Sequence, residues 1–457
     1  MVDMSMPPLF NDKHFYKSLF TIAIPIMLQN LISALVNMLD TVMIGRLGTV
    51  EIAAVGLGNQ VFFLYNLTLF GLCSGASVFT AQFWGKRDIP GIRKNTGFCL
   101  LLSLAAGAFF TLGALLAPEG IMGIYSRDSA VIASGAVYLR TLAPVFIPFG
   151  ISMIFVQALR SVEKVRLAMT ATIIALSVNG ALNYCFIFGL GPIPAMGVRG
   201  AAIATVISRI VEAAILLAAA YSRKYPPAGS LRELLAFRAP FVPRFIRIVL
   251  PVVVNEIVWS LGVTTQNIIF ARTHTGAVAA FNITNTVSQL AWVLFIGLGS
   301  GVAVLIGKKI GEGEEQTARD YASRIIRFAP LLATGAAFVL IPVSRLLPFL
   351  FNVDESVLAA TRAMFIILSV SYPFRAFNMS MVVGICRAGG DTVFCAVYDI
   401  VLMWTVALPL AAAASYFFHA PVWVIFICVN SEECLKVILG LWRYRSGKWL
   451  RQVTEGL

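Results

Sequence analysis

The sequence predicts an all-α integral membrane protein of twelve transmembrane helices in two six-helix lobes, related by a parallel internal repeat. Three observations predict it: an apolar composition, twelve long apolar stretches, and a gapless match of the chain with itself. Of the 457 residues, 59% are hydrophobic and only 12% are Asp, Glu, Lys or Arg, against roughly 25% charged residues in an ordinary soluble domain. That is too little charge to cover a water-facing surface, so most apolar side chains must face lipid or one another. A soluble globular protein is excluded.

A bilayer span takes about 20 apolar residues. The stretches fall at 18–45, 52–80, 95–117, 134–158, 167–190, 197–221, 245–271, 277–306, 326–350, 358–386, 393–416 and 420–442. The first lacks a small-residue cleavage site and reads as a membrane helix, not a removed signal peptide. An even number of spans puts both termini on one side. Lys and Arg gather at the termini and at alternate connections, for example Lys86, Arg87, Arg93 and Lys94, then Arg160, Lys164 and Arg166, then Lys308 and Lys309. The positive-inside rule places those connections and both termini in the cytoplasm of a multi-pass protein of the cell (inner or plasma) membrane. The net charge of +13 therefore marks topology and not nucleic-acid binding, since the basic loops lack interleaved aromatics.

At a constant offset of 226 residues, the 64 positions from Ile22 to Gly85 match Ile248 to Gly311 without a gap. Identities include Pro25/Pro251, Arg46/Arg272, Asn59/Asn285, Gly71/Gly297 and Gly75/Gly301. Six spans per copy give both copies the same orientation, as in transporters built from parallel repeats. The expected organisation is an N-lobe over 1–221, a basic linker over 222–244 containing Pro226, Pro227 and Gly229, and a C-lobe over 245–457. The length and polarity of that linker suit a compliant tether.

An ionisable residue at bilayer depth costs roughly 2.5–3.5 kcal/mol on insertion scales and is retained mainly where it faces a cavity or a partner. Such residues are Asp40 in span 1, Glu256 in span 7, Asp399 in span 11, and Glu432, Glu433 and Lys436 in span 12. The repeat sets Gln29 and Asn30 opposite Asn255 and Glu256, and Asp40 and Thr41 opposite Gln266 and Asn267. Pro25 and Pro251 each precede the inner polar pair by about one turn, where a proline removes a backbone hydrogen bond and permits a bend. Asn179 and Asn183 are one turn apart on one face of span 5. With the Asp40 carboxylate they could ligate Na⁺ or follow its protonation; alternatively they are interhelical glue. Asp40 is either a coupling acid or an interfacial carboxylate solvated from outside, and Glu256 either a coupling acid or a structural partner of Asn255 or of a neighbouring helix. Asp399 is either functional or structural, reaching headgroups or Arg387. Glu432 and Lys436, at i, i+4 spacing, neutralise each other.

Other chemistries lack their motifs. The seven cysteines show no CxxC spacing, and His14, His274 and His419 no metal-ligand spacing, so neither a disulfide framework nor a zinc site is expected. No phosphate-binding GxxxxGK[ST] loop or GxSxG elbow occurs. An enzyme is not expected, and no cofactor beyond a coupling ion.

The stretch IPIMLQNLISALVNMLDTVMIGRLGTVEIAAVG (Ile24 to Gly56), the loop AQFWGKRDIPGIRK (Ala81 to Lys94), the segment NYCFIFGLGPIPAMGVRGAAIAT (Asn183 to Thr205) and RAGGDT (Arg387 to Thr392) resemble the multidrug and toxic compound extrusion (MATE) family over nearly the whole chain. The resemblance implies two six-helix lobes forming a V around a central cavity. It also implies an exporter that uses inward H⁺ or Na⁺ flow to expel organic, often cationic or amphiphilic, compounds. It implies a cation or proton site at the acid matching Asp40, near positions matching Pro25, Gln29, Asn179 and Asn183, linked to bending of span 1, and a second acid matching Glu256. The chain departs from the family at Asn183, which is Asp in some relatives, and near Arg375 and Ala376, where a span 10 acid is replaced by Asp399 in span 11. Both H⁺ and Na⁺ stay open as coupling ion. The expected partners are small organic substrates and the lipid bilayer, with no nucleic acid, for a protein acting as a monomer. The alternatives are a lipid-linked precursor flippase of the same superfamily, which needs a basic cavity, another ion-coupled transporter, and a channel or scaffold.

Overall fold

The computed structural model describes residues 8–237, 240–273, 275–343 and 354–457. Among them there is no strand, only an isolated bridge between Leu190 and Ile193. Twelve long helices answer the twelve apolar stretches. They are α1 Lys13–Gly45, α2 Thr49–Gly85, α3 Ile89–Leu116, α4 Ser129–Ser161, α5 Val165–Phe188 and α6 Gly197–Ser222. After them come α7 Phe241–Ala271, α8 Thr275–Gly311, α9 Glu315–Val343, α10 Glu355–Arg387, α11 Thr392–Tyr416 and α12 Val422–Ser446. Ten of these are long and apolar enough to cross a bilayer. The other two carry charge: Glu315, Arg319, Asp320, Arg324 and Arg327 in α9, and Glu432, Glu433 and Lys436 in α12. Residues 344–350, expected at the end of the ninth span, and 238–239 of the linker lie outside the described residues.

Local chemistry sets the helix ends. Asp88 and Asp128 cap α3 and α4, each accepting a hydrogen bond of 2.9 Å from the amide of Gly91 or Ala130; such a cap contributes about 1 kcal/mol. Pro144 stands in a 3₁₀ turn, Ala143–Val145, inside α4. In α11 a π-helical stretch, Met403–Ala407, leads into Pro409, and α10 closes on another, Ser380–Arg387. Such turns re-pair backbone groups that a proline or a packed neighbour displaces.

The chain divides into two compact units. The N-terminal unit is Leu28–Pro243; the C-terminal unit joins the residues up to Met27 to Arg244–Gly456. Helix α1 thus changes unit between Met27 and Leu28, just past Pro25. In the C-terminal unit its first half lies against α8 at Gly297 and Gly301, where a Cβ would meet Met27 and Ala23. Small residues one turn apart let the backbones approach.

The basic connection after α6 is not a free tether. Tyr221 donates from its hydroxyl to the Gly229 carbonyl at 2.8 Å, and Ser230 and Glu233 form a capping box on the short helix Leu231–Leu234. Hydrogen bonds from Ser230 hold the Glu233 carboxyl below its usual range. Arg93 pairs with Glu233 at 2.5 Å, and Gly97 of α3 leaves no room for a Cβ beside the Leu234 carbonyl. Phe98 completes the joint edge-on against Phe237 and Phe241.

The RAGGDT loop plays a comparable part in the C-terminal unit. Gly390 has φ +78°, a left-handed conformation that glycine adopts without strain. Its neighbour Gly389 lies against the backbone of the fully buried Trp449 and accepts from the Arg451 amide at 2.9 Å. Asp391 pairs with Arg443 at 2.6 Å and Arg451 at 3.0 Å. The segment after α12 is thereby fixed to the loop.

Candidate functional site

In the N-terminal unit α1, α2, α4, α5 and α6 surround a cavity of about 440 Å³. Its wall includes Asn37, Asp40, Thr41, Asn59, Phe62 and Tyr138, together with Asn179, Asn183, Thr205, Ser208 and Arg209. Asn183 donates from Nδ2 to Asp40 Oδ1 at 2.6 Å and to Asn179 Oδ1 at 3.3 Å. Asn179 in turn donates to Thr205 Oγ1 at 3.5 Å. The two asparagines on one face of α5 and the acid on α1 are therefore brought together. Tyr138 donates to Asn59 Oδ1 at 2.9 Å across the same wall, and Thr41 Oγ1 donates to the Asn37 carbonyl at 3.0 Å. Among the described residues, Asp40 is the acid deep in a span that no Lys or Arg approaches within 4 Å.

Arg209 also lines this cavity, so its charge is not purely acidic. The guanidinium stacks over Phe149 at 5.3 Å and pairs with Glu212 at 2.8 Å. From Glu212 a buried chain runs away from the cavity. Thr172 donates to Glu212 Oε1 at 2.7 Å, Gln29 Nε2 donates to Thr172 Oγ1 at 2.7 Å, and Arg160 Nη2 donates to Gln29 Oε1 at 2.6 Å. Gln29 stands 11 residues before Asp40 on α1, roughly 16 Å along the axis. It belongs to this second network and not to the cavity. Asn30 is half-buried beside it.

Sequence reasoning missed Arg160, Thr172, Arg209 and Glu212. The signal for two of them is present, because Arg209 and Glu212 are three residues apart inside an apolar span, a spacing that pairs charges on one helix face. Thr172→Val removes the donor to Glu212 and the acceptor of Gln29. We expect a loss of about 1–3 kcal/mol for the buried groups left unpaired, read as a lower melting midpoint in detergent than wild type or Thr172→Ser.

The C-terminal unit places its polar residues differently from the sequence reading. Glu256 pairs at 2.8 Å with Arg387 on another helix, α10, the neighbouring-helix alternative, and not with Asn255. Asn255 donates from Nδ2 to Asp399 Oδ2 at 3.3 Å, and Asp399 reaches Lys436 at 3.4 Å, not Arg387. Lys436 also meets Glu432 at 3.5 Å, so the i, i+4 pair exists but is shared. Glu433 pairs with Arg375 at 3.6 Å and accepts from Asn378 Nδ2 at 2.7 Å. Pro251 lies inside α7 one turn before Asn255. Gln266, ten residues beyond Glu256, is roughly 15 Å along the helix axis from it. Phe155 is buried with Leu159 and Leu216, and Trp259 and Trp292 stack on each other at 6.3 Å.

The two polar networks follow the repeat. Gln29 and Asn255 are repeat mates on α1 and α7; each donates to an oxygen on the fifth helix of its copy, Thr172 or Asp399, which meets a buried charge on the sixth, Glu212 or Lys436. An arginine ending the fourth helix of each copy, Arg160 or Arg387, braces the polar pair. A family model described as MatE matches residues 25–185 and 251–413, one segment in each copy.

The chain belongs to the MATE family. A MATE relative described as a probable multidrug resistance protein NorM, from Thermotoga maritima, is 25% identical over 452 residues, covering 96% of this chain and 94% of its own. Multidrug resistance protein MdtK of Edwardsiella ictaluri is 25% identical over 415 residues, 86% of each chain. Among solved structures, the Vibrio cholerae MATE transporter VcmN superposes with a TM-score of 0.87 at 18% identity, covering 96% of this chain and 99% of that one. A MATE structure in complex with MaL6 gives 0.84 at 21%, covering 95% and 97%. These likenesses show the MATE fold of a multi-pass membrane protein.

Proposed function

We propose that the chain is a secondary active multidrug efflux antiporter in which substrate and coupling ion compete for Asp40. The observation that carries this reading is a carboxylate with no Lys or Arg within 4 Å on the wall of a 440 Å³ cavity, within the size range of small-molecule sites. Membership of the MATE family and relatives described as multidrug resistance proteins support it. An acid outside any close ion pair, beside Phe62 and Tyr138, suits small organic cations and amphiphiles. Arg209 is balanced by Glu212, which argues against the basic bed a pyrophosphate-bearing lipid precursor needs.

Between the two candidate ions the geometry favours H⁺. The Asn183 amide nitrogen lies between Asp40 Oδ1 and Asn179 Oδ1, in the gap that Na⁺ would take. Asn183 Oδ1 is buried without a hydrogen-bond partner. A turn of the amide lets that oxygen accept from a protonated Asp40, so one residue serves both charge states. The antiporter acts as a monomer in the inner or plasma membrane, with both termini cytoplasmic. The test is transport of a cationic dye by proteoliposomes with ΔpH and ΔNa⁺ imposed separately. Dye should move against its gradient under ΔpH alone; transport under ΔNa⁺ alone would replace H⁺ by Na⁺, and transport under neither would remove the antiport reading.

A further inference from the structure

The C-terminal unit holds a buried cluster for which the proposed exchange has no use. Lys436 on α12 is 5% exposed, with its ammonium 3.4 Å from Asp399 Oδ1 and 3.5 Å from Glu432 Oε1. Asn255 closes the third side through its bond to Asp399 Oδ2. Two oxygens of the cluster, Glu432 Oε2 and Asn255 Oδ1, are buried without a hydrogen-bond partner, and Glu432 and Asn255 are only 6% and 2% exposed. The adjoining charges are spoken for, Glu433 by Arg375 and Glu256 by Arg387. Two oxygens on the ammonium and two more left without a partner are more accepting capacity than one ammonium uses, and hard oxygens of this kind suit a monovalent cation.

The N-terminal unit shows what the same three helices do without that excess of acid. There the amide of Gln29 meets a neutral hydroxyl, Thr172, and the buried charge beyond it is an acid, Glu212, balanced by Arg209. In the C-terminal unit Asp399 takes the place of that hydroxyl in the chain of contacts, and Lys436 that of the acid. The buried charge on the sixth helix is thus of opposite sign, and the cation that the added carboxylate requires is supplied by the chain.

We infer that Lys436 is a tethered cation filling a monovalent-cation site built from Asp399, Glu432 and Asn255, so that the C-terminal unit keeps its charge balance without taking an ion from solution. With Asp40 as the exchanging acid, the reading on which this consequence rests, ion coupling then runs through the N-terminal unit alone.

The test uses the full chain in detergent in an Asp40→Asn background, so that the exchanging acid does not contribute. Melting midpoints are taken in NaCl, KCl and choline chloride at equal ionic strength. With Lys436 intact the three midpoints should coincide. Adding Lys436→Gln should lower the midpoint in choline and create a saturable rise of a few degrees in Na⁺ or K⁺, lost again when Asp399→Asn is added. Equal midpoints in all three salts for the Lys436→Gln protein would overturn the inference. If that protein does not fold in any salt, binding of ²²Na⁺ to the Asp40→Asn protein decides. No saturable binding is expected while Lys436 is in place, and saturable binding abolished by Asp399→Asn would overturn the inference. Failure of Asp40 to carry coupling, seen in dye transport, is a separate outcome and leaves these readings unchanged.

Discussion

Asp40→Asn is expected to lower gradient-driven dye efflux by about 5- to 150-fold, the range set by a coupling free energy of 1–3 kcal/mol, while leaving the fold intact. The substitution keeps shape and hydrogen-bonding capacity next to Asn183 but removes the only change of charge available at that wall of the cavity. The other acids deep in the described spans have cations within 4 Å: Glu212 with Arg209, Glu256 with Arg387, Asp399 and Glu432 with Lys436, and Glu433 with Arg375. An acid held against an arginine or lysine gives up its charge at the cost of leaving the partner buried and unpaired. Asp40 carries no such cost. Dye accumulation by inverted vesicles under an imposed gradient checks the rate, and an unchanged melting midpoint shows that folding is not the cause.

Arg387→Met is expected to produce the largest loss of stability among the residues of the two networks, about 3–5 kcal/mol, because it strands Glu256 as a buried charge. Arg387 is 4% exposed and its guanidinium meets Glu256 at 2.8 Å. The repeat provides the control. Arg160→Met removes the corresponding arginine in the N-terminal unit, but there the partner is the neutral Gln29, so a loss of about 1–3 kcal/mol is expected. A double variant, Arg387→Met with Glu256→Gln, should recover part of the loss. Thermal unfolding in detergent, together with the yield of monodisperse protein, measures all three; equal losses for Arg387→Met and Arg160→Met would contradict the charge argument.

The spans were legible because lipid imposes one rule on every residue of a crossing helix, and a window of composition reads that rule directly. Most helices begin within a few residues of their apolar stretches, and extend past them where the turn continues, as it does from Ser129 ahead of the fourth. The repeat likewise exposed Gln29 and Asn255 as equivalent positions before any contact was visible. Which charge meets which is another matter. Asp399 lies in reach of either Arg387 or Lys436 by spacing along the chain, and only the packing of α11 against α12 selects Lys436. Glu212 escapes the repeat because the gapless match ends at Gly85 and Gly311, well before α6 and α12, so no aligned acid marks the position. The connection after α6 reads as a tether by its prolines and arginines, yet the Ser230–Glu233 capping box and the close approach at Gly97 fold it against α3. Both are short-range details that composition averages away.

The central claim is that substrate and coupling ion exclude one another at Asp40. Its most direct measurement is the equilibrium affinity of a fluorescent cationic dye for the purified protein, by anisotropy, across pH and across Na⁺ concentration at constant ionic strength. For wild type, affinity should fall at least about tenfold as the pH is lowered, with one proton taken up per dye released, corresponding to 1.4 kcal/mol of linkage or more. For Asp40→Asn, affinity should be weak and flat with pH and Na⁺. An Asp40→Asn protein that binds the dye with the wild-type dependence on pH or Na⁺ would contradict the account.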